Sequence, residues 1–418
     1  MPRAKKRKLF NLGRMNKRIL FLIRAYNDLD HIVPVAWKMA SKGFDVAFSL
    51  TAEEFPDDYR INLLRTTGAT RLKSWPIETY DRVFRPRIKP NALRSLLDWI
   101  VAAFFGYFFL KRNRIACVVV EWSGASGRAR ASFFLRAARI MSLPTISIPH
   151  GYHTWLDNDF NETTKETILK TGQLPQFLDR NRYTRYVVQS ENIKRYCVES
   201  GIEEAKIDVL GSARFCSEWS GLNLPMCVAN TKQVAYGDNR NLVVLFFLNH
   251  WEYNVDRDRC LGLLSLIAGQ KSVTLIIKGH TRGKESGGLS PSEEKHLDHF
   301  DNVLYPGEDL HSPYLVAQSD VVIVYGSSIC FEALRQGKTV IWPRFVCRNR
   351  TIFDTENVVT VAEDEGEFIE VIRDALEGNV SRLPRQRLDS FFCTHVEGGV
   401  SEVSVLDRYS NRINSCLD

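Results

Sequence analysis

Short runs of aliphatic, mostly β-branched residues recur along this chain, and nearly every run leads through a turn into a helical pattern. Residues 18–24 (RILFLIR) read as a buried strand, 25–30 as a polar loop, 32–42 as a helix stopped by Gly43, and 45–50 as a second strand. Strands joined through a helix pair in parallel, so this opening is a β-α-β unit of Rossmann-like type. The alternation continues with a strand at 116–121, a Gly-Ser-rich turn at 123–127, a helix at 129–141, strands at 144–148 and 186–189, a helix at 190–199 and a strand at 206–211. A second series follows: strands at 242–248, 273–278, 303–305, 320–324 and 339–342, with helices at 259–268, 313–318 and 328–336. Between the two series, 217–241 mixes Gly, Pro, Asn and Lys without periodicity and reads as an interdomain connection.

A chain of 418 residues exceeds what one hydrophobic core organises, in keeping with two series. The expected organisation is a basic tail (1–17), a first doubly wound α/β domain (18–216), the connection (217–241), a second doubly wound domain (242–384) and a C-terminal helical segment (385–418). No internal repeat points to a solenoid.

The net charge of +7 is unevenly placed. Arg3, Lys5, Lys6, Arg7 and Lys8 cluster at the start, and Arg14, Lys17 and Arg18 extend them, without any motif of a nucleic-acid-binding fold. Residues 96–110 (LLDWIVAAFFGYFFL) are almost wholly apolar between Arg94 and the group Lys111, Arg112, Arg114. The run falls short of the about 20 apolar residues that a spanning helix needs, and it contains Asp98. It is expected either as a buried core helix or as a helix lying in a membrane interface. Tail and run together point to an anionic membrane surface as partner. Nine cysteines, scattered and never in a C-x-x-C spacing, fit a reducing compartment rather than a disulfide scaffold or zinc site. Residues 1–8 lead into 9–16 rather than a sustained apolar run, so no signal peptide is expected. The expected location is cytoplasmic, peripheral on the cytoplasmic face of the inner membrane.

Ligands of open α/β sheets bind at the carboxyl ends of strands, so the residues following strands are the functional candidates. Tyr325-Gly326-Ser327-Ser328 stands between a strand and a helix, where free N–H groups, the helix dipole and two hydroxyls suit a phosphate. Ser328 as a plain N-cap accounts for the same pattern. Glu332, one turn on, either accepts from a ribose hydroxyl or favours the helix N-terminal dipole. Lys278, His280 and Arg282 gather charge after the strand at 273–278, suited to a departing nucleoside phosphate. His150, followed by Gly151, ends a strand of the first domain and is a candidate general base, with Glu121 as its rival. The loop after the first strand lacks a glycine-rich fingerprint, so no dinucleotide cofactor is expected. Asp157/Asp159 and Asp256/Asp258 have D-x-D spacing, a pattern common by chance, and no metal is expected.

The segments SIPHGYHTW (147–155), KIDVLGSAR (206–214), IIKGHTRGK (276–284) and SDVVIVYGSSICFEALRQGKTVIWP (319–343) resemble those of GT-B glycosyltransferases of bacterial surface glycan assembly. The nearest likeness is to the capsular-polysaccharide and CDP-glycerol glycerophosphotransferase-like group. The resemblance implies two Rossmann-like domains facing across a cleft. It makes His150 the base, His280 a donor-phosphate contact, Ser327 and Ser328 a phosphate-binding pair, and Glu332 the acid facing the donor ribose. Thr281 stands where that group usually has proline, which favours a sugar donor over glycerophosphate. The implied function is transfer of a sugar from a CMP-, CDP- or UDP-linked donor to a hydroxyl of a surface polysaccharide or glycolipid acceptor. Alternatives are a CDP-glycerol-type glycerophosphotransferase, a sugar-nucleotide 2-epimerase and a non-catalytic glycan assembly protein.

Overall fold

The computed structural model describes all residues except 1–16, 52–54, 56–57, 123–129, 233–240, 280–286, 308–309, 380–382, 401 and 418. The chain forms two compact units. Unit 1 comprises Met1–Gly151, Phe177–Trp219 and Thr394–Asp418, and unit 2 comprises Tyr152–Gln176 and Ser220–Cys393.

Unit 1 holds seven parallel strands: β1 (Arg18–Ile23), β2 (Val46–Leu50), β3 (Thr70–Arg71), β4 (Ile115–Glu121), β5 (Thr145–Ile148), β6 (Arg185–Val188) and β7 (Ile207–Val209). Their order is β3-β2-β1-β4-β5-β6-β7. Helices cover both faces of such a sheet, so its central strands read as continuous apolar runs, and Ile19 to Ile23 are fully buried. Unit 2 repeats the plan with β8 (Leu242–Phe247), β9 (Val273–Lys278), β10 (Val303–Leu304), β11 (Val321–Ile323), β12 (Thr339–Pro343) and β13 (Thr360–Ala362). Its order is β10-β9-β8-β11-β12-β13. The order reverses between β1 and β4 in unit 1 and between β8 and β11 in unit 2, and these switch points are where doubly wound sheets open a crevice for ligands.

Four expectations need correction. Residues 25–30 are not a loop: the first helix starts at Tyr26 and runs to Ser41, from an extended Ala25. The Asp28 carboxylate accepts from the backbone N–H groups of Arg24 (2.8 Å) and Ala25 (3.1 Å), replacing bonds that a helix start lacks. The connection expected at 217–241 is largely the helix Ser217–Asn230, and its residues 233–240 lie outside those described. Gly221 and Pro225 hide that helix in the sequence, while Trp219 and Cys227 are buried within it. The first domain is interrupted, because 152–176 belongs to unit 2; the segment 385–418 is divided too, the helix Arg385–His395 lying mostly in unit 2 and Val405–Ser415 in unit 1.

The fourth correction concerns 96–110. These residues belong to a helix of 22 residues, Asn91–Arg112, long and apolar enough by length and composition to cross a membrane. It contains a π-helical turn at Ala102–Gly106. One face packs inside unit 1: a Cβ on Gly106 would come within 2.9 Å of the Ala137 Cβ, so only glycine permits this close approach. Asp98, on the packed side, pairs with Arg85 (3.1 Å) and accepts from the Tyr80 hydroxyl (3.0 Å). The opposite face is exposed.

Candidate functional site

Three strand ends meet at the switch point of unit 1. Arg24 follows β1, Glu121 ends β4, and His150 lies just beyond β5. His150 Nδ1 is 2.6 Å from Asp28 Oδ1, and both side chains are buried. Because the carboxylate only accepts, the imidazole proton sits on Nδ1 and the basic lone pair on Nε2. Burial pushes the Asp28 carboxyl up, but the His150 ring and the N–H groups of Arg24 and Ala25 outweigh it and hold Asp28 below the usual carboxylate range. Asp28 is therefore an ionised anchor that fixes the ring.

Glu121 Oε1 pairs with Arg24 Nη2 at 3.2 Å, and its side chain is 1% exposed. Since the Arg24 backbone N–H binds Asp28, a continuous chain of contacts leads from Glu121 through Arg24 and Asp28 to His150. His31, one turn beyond Asp28, is buried and pushed down to about 3, first by burial and then by the Arg214 cation. Arg60 lies nearby with its guanidinium on Asp58 (2.7 Å) and Asp30, and stacked over the Tyr26 ring. These groups clamp the start of the helix that presents Asp28.

In unit 2, the switch point is framed by Asn249-His250 after β8 and by Tyr325-Gly326-Ser327-Ser328 after β11. Asn249 Nδ2 donates to the Tyr325 carbonyl at 2.9 Å, tying the two strand ends together. Ser327 and Ser328 are half-buried, and the short helix Ile329–Arg335 begins directly after them. Ser328 makes no side-chain cap, whereas the Ser327 hydroxyl accepts weakly from the Ile329 N–H at 3.5 Å. Ser328 as an N-cap through its hydroxyl is thus not what the structure shows. Lys278 ends β9 and donates from Nζ to the carbonyls of Gly307 and Leu310, both at 3.2 Å, so it braces a neighbouring loop. Glu332 is 4% exposed and accepts from Gln336 Nε2 at 3.1 Å, which places it inside unit 2 rather than at an open mouth. His280, Thr281 and Arg282 lie outside the described residues.

Gly326 has a packing role that the sequence alone does not disclose. Its φ is +73°, and an added Cβ would stand 1.5 Å from the Trp155 ring. Thr154 Oγ1 donates to the Gly326 carbonyl at 3.0 Å. The segment that follows Gly151 is fastened there by Leu156 N–H to the Arg350 carbonyl (3.0 Å) and Ile352 N–H to the Thr154 carbonyl (3.1 Å). Trp155, Phe160 and Tyr253 form an aromatic group beside it. Gly326→Ala is expected to destabilise unit 2 by about 2–4 kcal/mol, from overpacking plus the left-handed backbone penalty. Tryptophan emission during urea unfolding checks this, and an unchanged midpoint speaks against the packing role.

The first carboxylate of each D-x-D pair has a structural partner. Asp157 binds Arg350 through two contacts of 2.9 and 2.7 Å, and Asp256 caps a helix by accepting from the Arg259 N–H. Among the described residues, no group of three His, Cys, Asp or Glu side chains is arranged to hold a metal ion.

No family model matches the chain, and no curated protein is detectably similar in sequence. Solved structures do share its architecture. The UDP-GlcNAc 2-epimerase from Neisseria meningitidis, bound to UDP-GlcNAc, is 15% identical and superimposes with a TM-score of 0.58 over 96% of this chain and 99% of its own. HepE from Anabaena, in complex with UDP and glucose, is 14% identical with a TM-score of 0.54 over 96% and 99%. The lipopolysaccharide outer core galactosyltransferase WaaB is 13% identical with a TM-score of 0.50 over 95% and 99%. The fold is therefore that of GT-B proteins, two Rossmann-like domains, as the sequence patterns imply.

Proposed function

We propose that this protein is a glycosyltransferase that moves a sugar from a CMP-, CDP- or UDP-linked donor to a hydroxyl of a surface polysaccharide or glycolipid. The observation that carries this reading is the buried Asp28–His150 pair at the switch point of unit 1, a preset base of the kind that deprotonates an acceptor alcohol. His150 Nε2 takes the acceptor proton, Asp28 stabilises the imidazolium that forms, and Glu121 positions Arg24 and Asp28. Nucleotide binding is assigned to unit 2, at Gly326, Ser327 and Ser328, with Lys278, His280 and Arg282 as its cations. Support for a nucleotide-sugar comes from fold neighbours whose structures hold UDP, UDP-GlcNAc or UDP and glucose. The reading uses no metal, so chelation by EDTA leaves turnover unchanged.

A 2-epimerase is the second reading, favoured by the epimerase folds among the neighbours and by Glu121 as a second carboxylate linked to the base through Arg24 and Asp28. A panel of nucleotide-sugars, assayed for nucleotide release with and without a lipid-linked glycan acceptor, separates them. Acceptor-dependent release supports the transferase; an altered sugar-nucleotide without acceptor supports the epimerase. A CDP-glycerol-type donor belongs in the same panel, and silence with every donor points to a non-catalytic assembly protein. Replacing Ser327 and Ser328 together by alanine is expected to weaken nucleotide binding by about tenfold or more, the loss of at least one hydrogen bond to a charged group. Calorimetry that finds unchanged affinity removes that turn from the donor site.

A further inference from the structure

The exposed face of helix Asn91–Arg112 is apolar where a surface helix is ordinarily polar. Leu93, Leu96, Ile100, Phe104 and Phe108 follow one another at helical spacing and are 47–59% exposed, with Trp99 and Phe105 beside them. The neighbouring segment adds exposed Trp75 and Phe84, and its Trp75–Thr79 helix lies against the Ala102–Gly106 turn. Such a contiguous patch marks an interaction surface. Exposed Arg82, Arg87, Lys89, Lys111, Arg112 and Arg139 surround it. The carboxylates of the same stretch are occupied: Asp81 pairs with Arg85 and Arg130, Asp98 with Arg85, and Glu78 accepts from the Ser74 N–H.

At the border of this patch lies a polar pocket of about 590 Å³, lined by Ser95 and Trp99 of the long helix and by Ser132, Arg136, Arg139 and Arg182. Thr145, the first residue of β5, and Thr184, just before β6, also line it, so it opens at the amino ends of the strands, away from His150. Two of its polar atoms are buried without a hydrogen-bond partner among the described residues, Ser132 Oγ and Arg136 Nη1. Ser132 is 3% exposed, and the nearest carboxylate of Arg136, on Asp98, is 3.8 Å away. Burial, followed by the charges of Arg85, Arg182 and Arg139, lowers the proton affinity of Arg136 despite Asp98. The pocket thus has excess positive charge, with only Asp98 facing Arg136 at the edge of ion-pair distance.

We propose that unit 1 docks on an anionic phospholipid surface through the exposed face of Asn91–Arg112, and that the arginine pocket receives a lipid headgroup phosphate. The helix lies in the interface rather than crossing it, because its other face is packed and holds the buried Asp98–Arg85 pair. Aromatic side chains at headgroup depth and a cationic rim are the two components of such adhesion. A second copy of the chain fits the apolar stripe but leaves the cationic rim facing its own like charge.

The test is co-sedimentation of the full chain with vesicles of phosphatidylcholine alone and with vesicles containing about one third phosphatidylglycerol. Binding is expected to be about tenfold tighter to the anionic vesicles. Phe104→Asp with Phe108→Asp is expected to weaken binding to both by about tenfold or more. Arg139→Gln with Arg182→Gln should reduce the anionic preference several-fold and leave the adhesion that the apolar face and the other rim cations provide. All four positions lie at the surface, and a thermal melt checks that the variants fold. Unchanged binding by the Phe104/Phe108 variant overturns the proposal and assigns adhesion to other segments, such as the basic tail. So does a dimer abolished by that variant with no vesicle binding, which makes a second copy the occupant. Binding of inorganic phosphate, lost in the Arg139/Arg182 variant without any vesicle binding, makes a soluble anion the ligand and overturns it equally.

Discussion

If the proposed transferase reading holds, His150→Ala is expected to lower turnover by about 10²–10⁴-fold while leaving affinity for the nucleotide donor unchanged. The size of the effect is that of removing a positioned general base. The loss is expected to shrink as pH rises, because hydroxide then replaces the missing base. Asp28→Asn keeps the shape of the contact but removes the anion that stabilises a protonated ring, so it lowers turnover and displaces the pH profile. Glu121→Gln leaves His150 and Asp28 intact and is expected to have a smaller effect. Near-normal turnover in His150→Ala with a dead Glu121→Gln transfers the role to Glu121, and full activity in all three variants places the base elsewhere.

Arg60→Met is the substitution expected to damage stability most, by about 3–5 kcal/mol, as is usual when one partner of a buried charge network is removed. The guanidinium is 2% exposed and holds Asp58 and Asp30, of which Asp30 also meets Arg214 at 3.2 Å. Without the Arg60 guanidinium, Asp58, 7% exposed, loses its countercharge and keeps only its helix-cap bond from the residue 60 N–H. Adding Asp58→Asn to Arg60→Met should recover part of the loss, since an amide tolerates burial better than an unpaired anion. Chemical denaturation of unit 1 measures both, and a loss below about 1 kcal/mol shows that the network carries little stability. Turnover should fall as well, because Arg60 steadies the helix start from which Asp28 reaches His150.

The parts of the fold that were legible in sequence are those with a single physical cause. β1, β4, β8 and β9 are buried on both faces, so each appears as a near-continuous apolar run. β3 and β13 sit at sheet edges and span only Thr70–Arg71 and Thr360–Ala362, too short to produce a pattern. The helix Ser217–Asn230 escapes notice because Gly221 and Pro225 interrupt a sequence that tertiary burial of Trp219 nonetheless holds helical. At the site, His150 is visible from its strand end and following glycine. Its partner Asp28 lies 122 residues away, and only the adjacency of β1, β4 and β5 brings the two together. Asn249-His250 carried a readable signal, a polar pair at the carboxyl end of β8. The contact of Trp155 with Gly326 had none, since it depends on a segment leaving the unit in which its preceding strand resides.

The last 25 residues of unit 1, Thr394–Asp418, also bear on the order in which the protein is made. Tyr409 donates its hydroxyl to the Gly211 carbonyl at 3.0 Å, Arg412 pairs with Asp208, and Asp407 meets Lys42 at 2.5 Å and Lys38 at 3.3 Å. Every one of those partners has left the ribosome long before the helix Val405–Ser415 is synthesised. Unit 2 can complete its sheet while translation continues, because β8 to β13 are consecutive, whereas in unit 1 Asp208, Gly211, Lys38 and Lys42 wait for their C-terminal partners. A released chain truncated before Thr394 should therefore present a protease-resistant second unit and a susceptible first one, the reverse of amino-terminal-first folding.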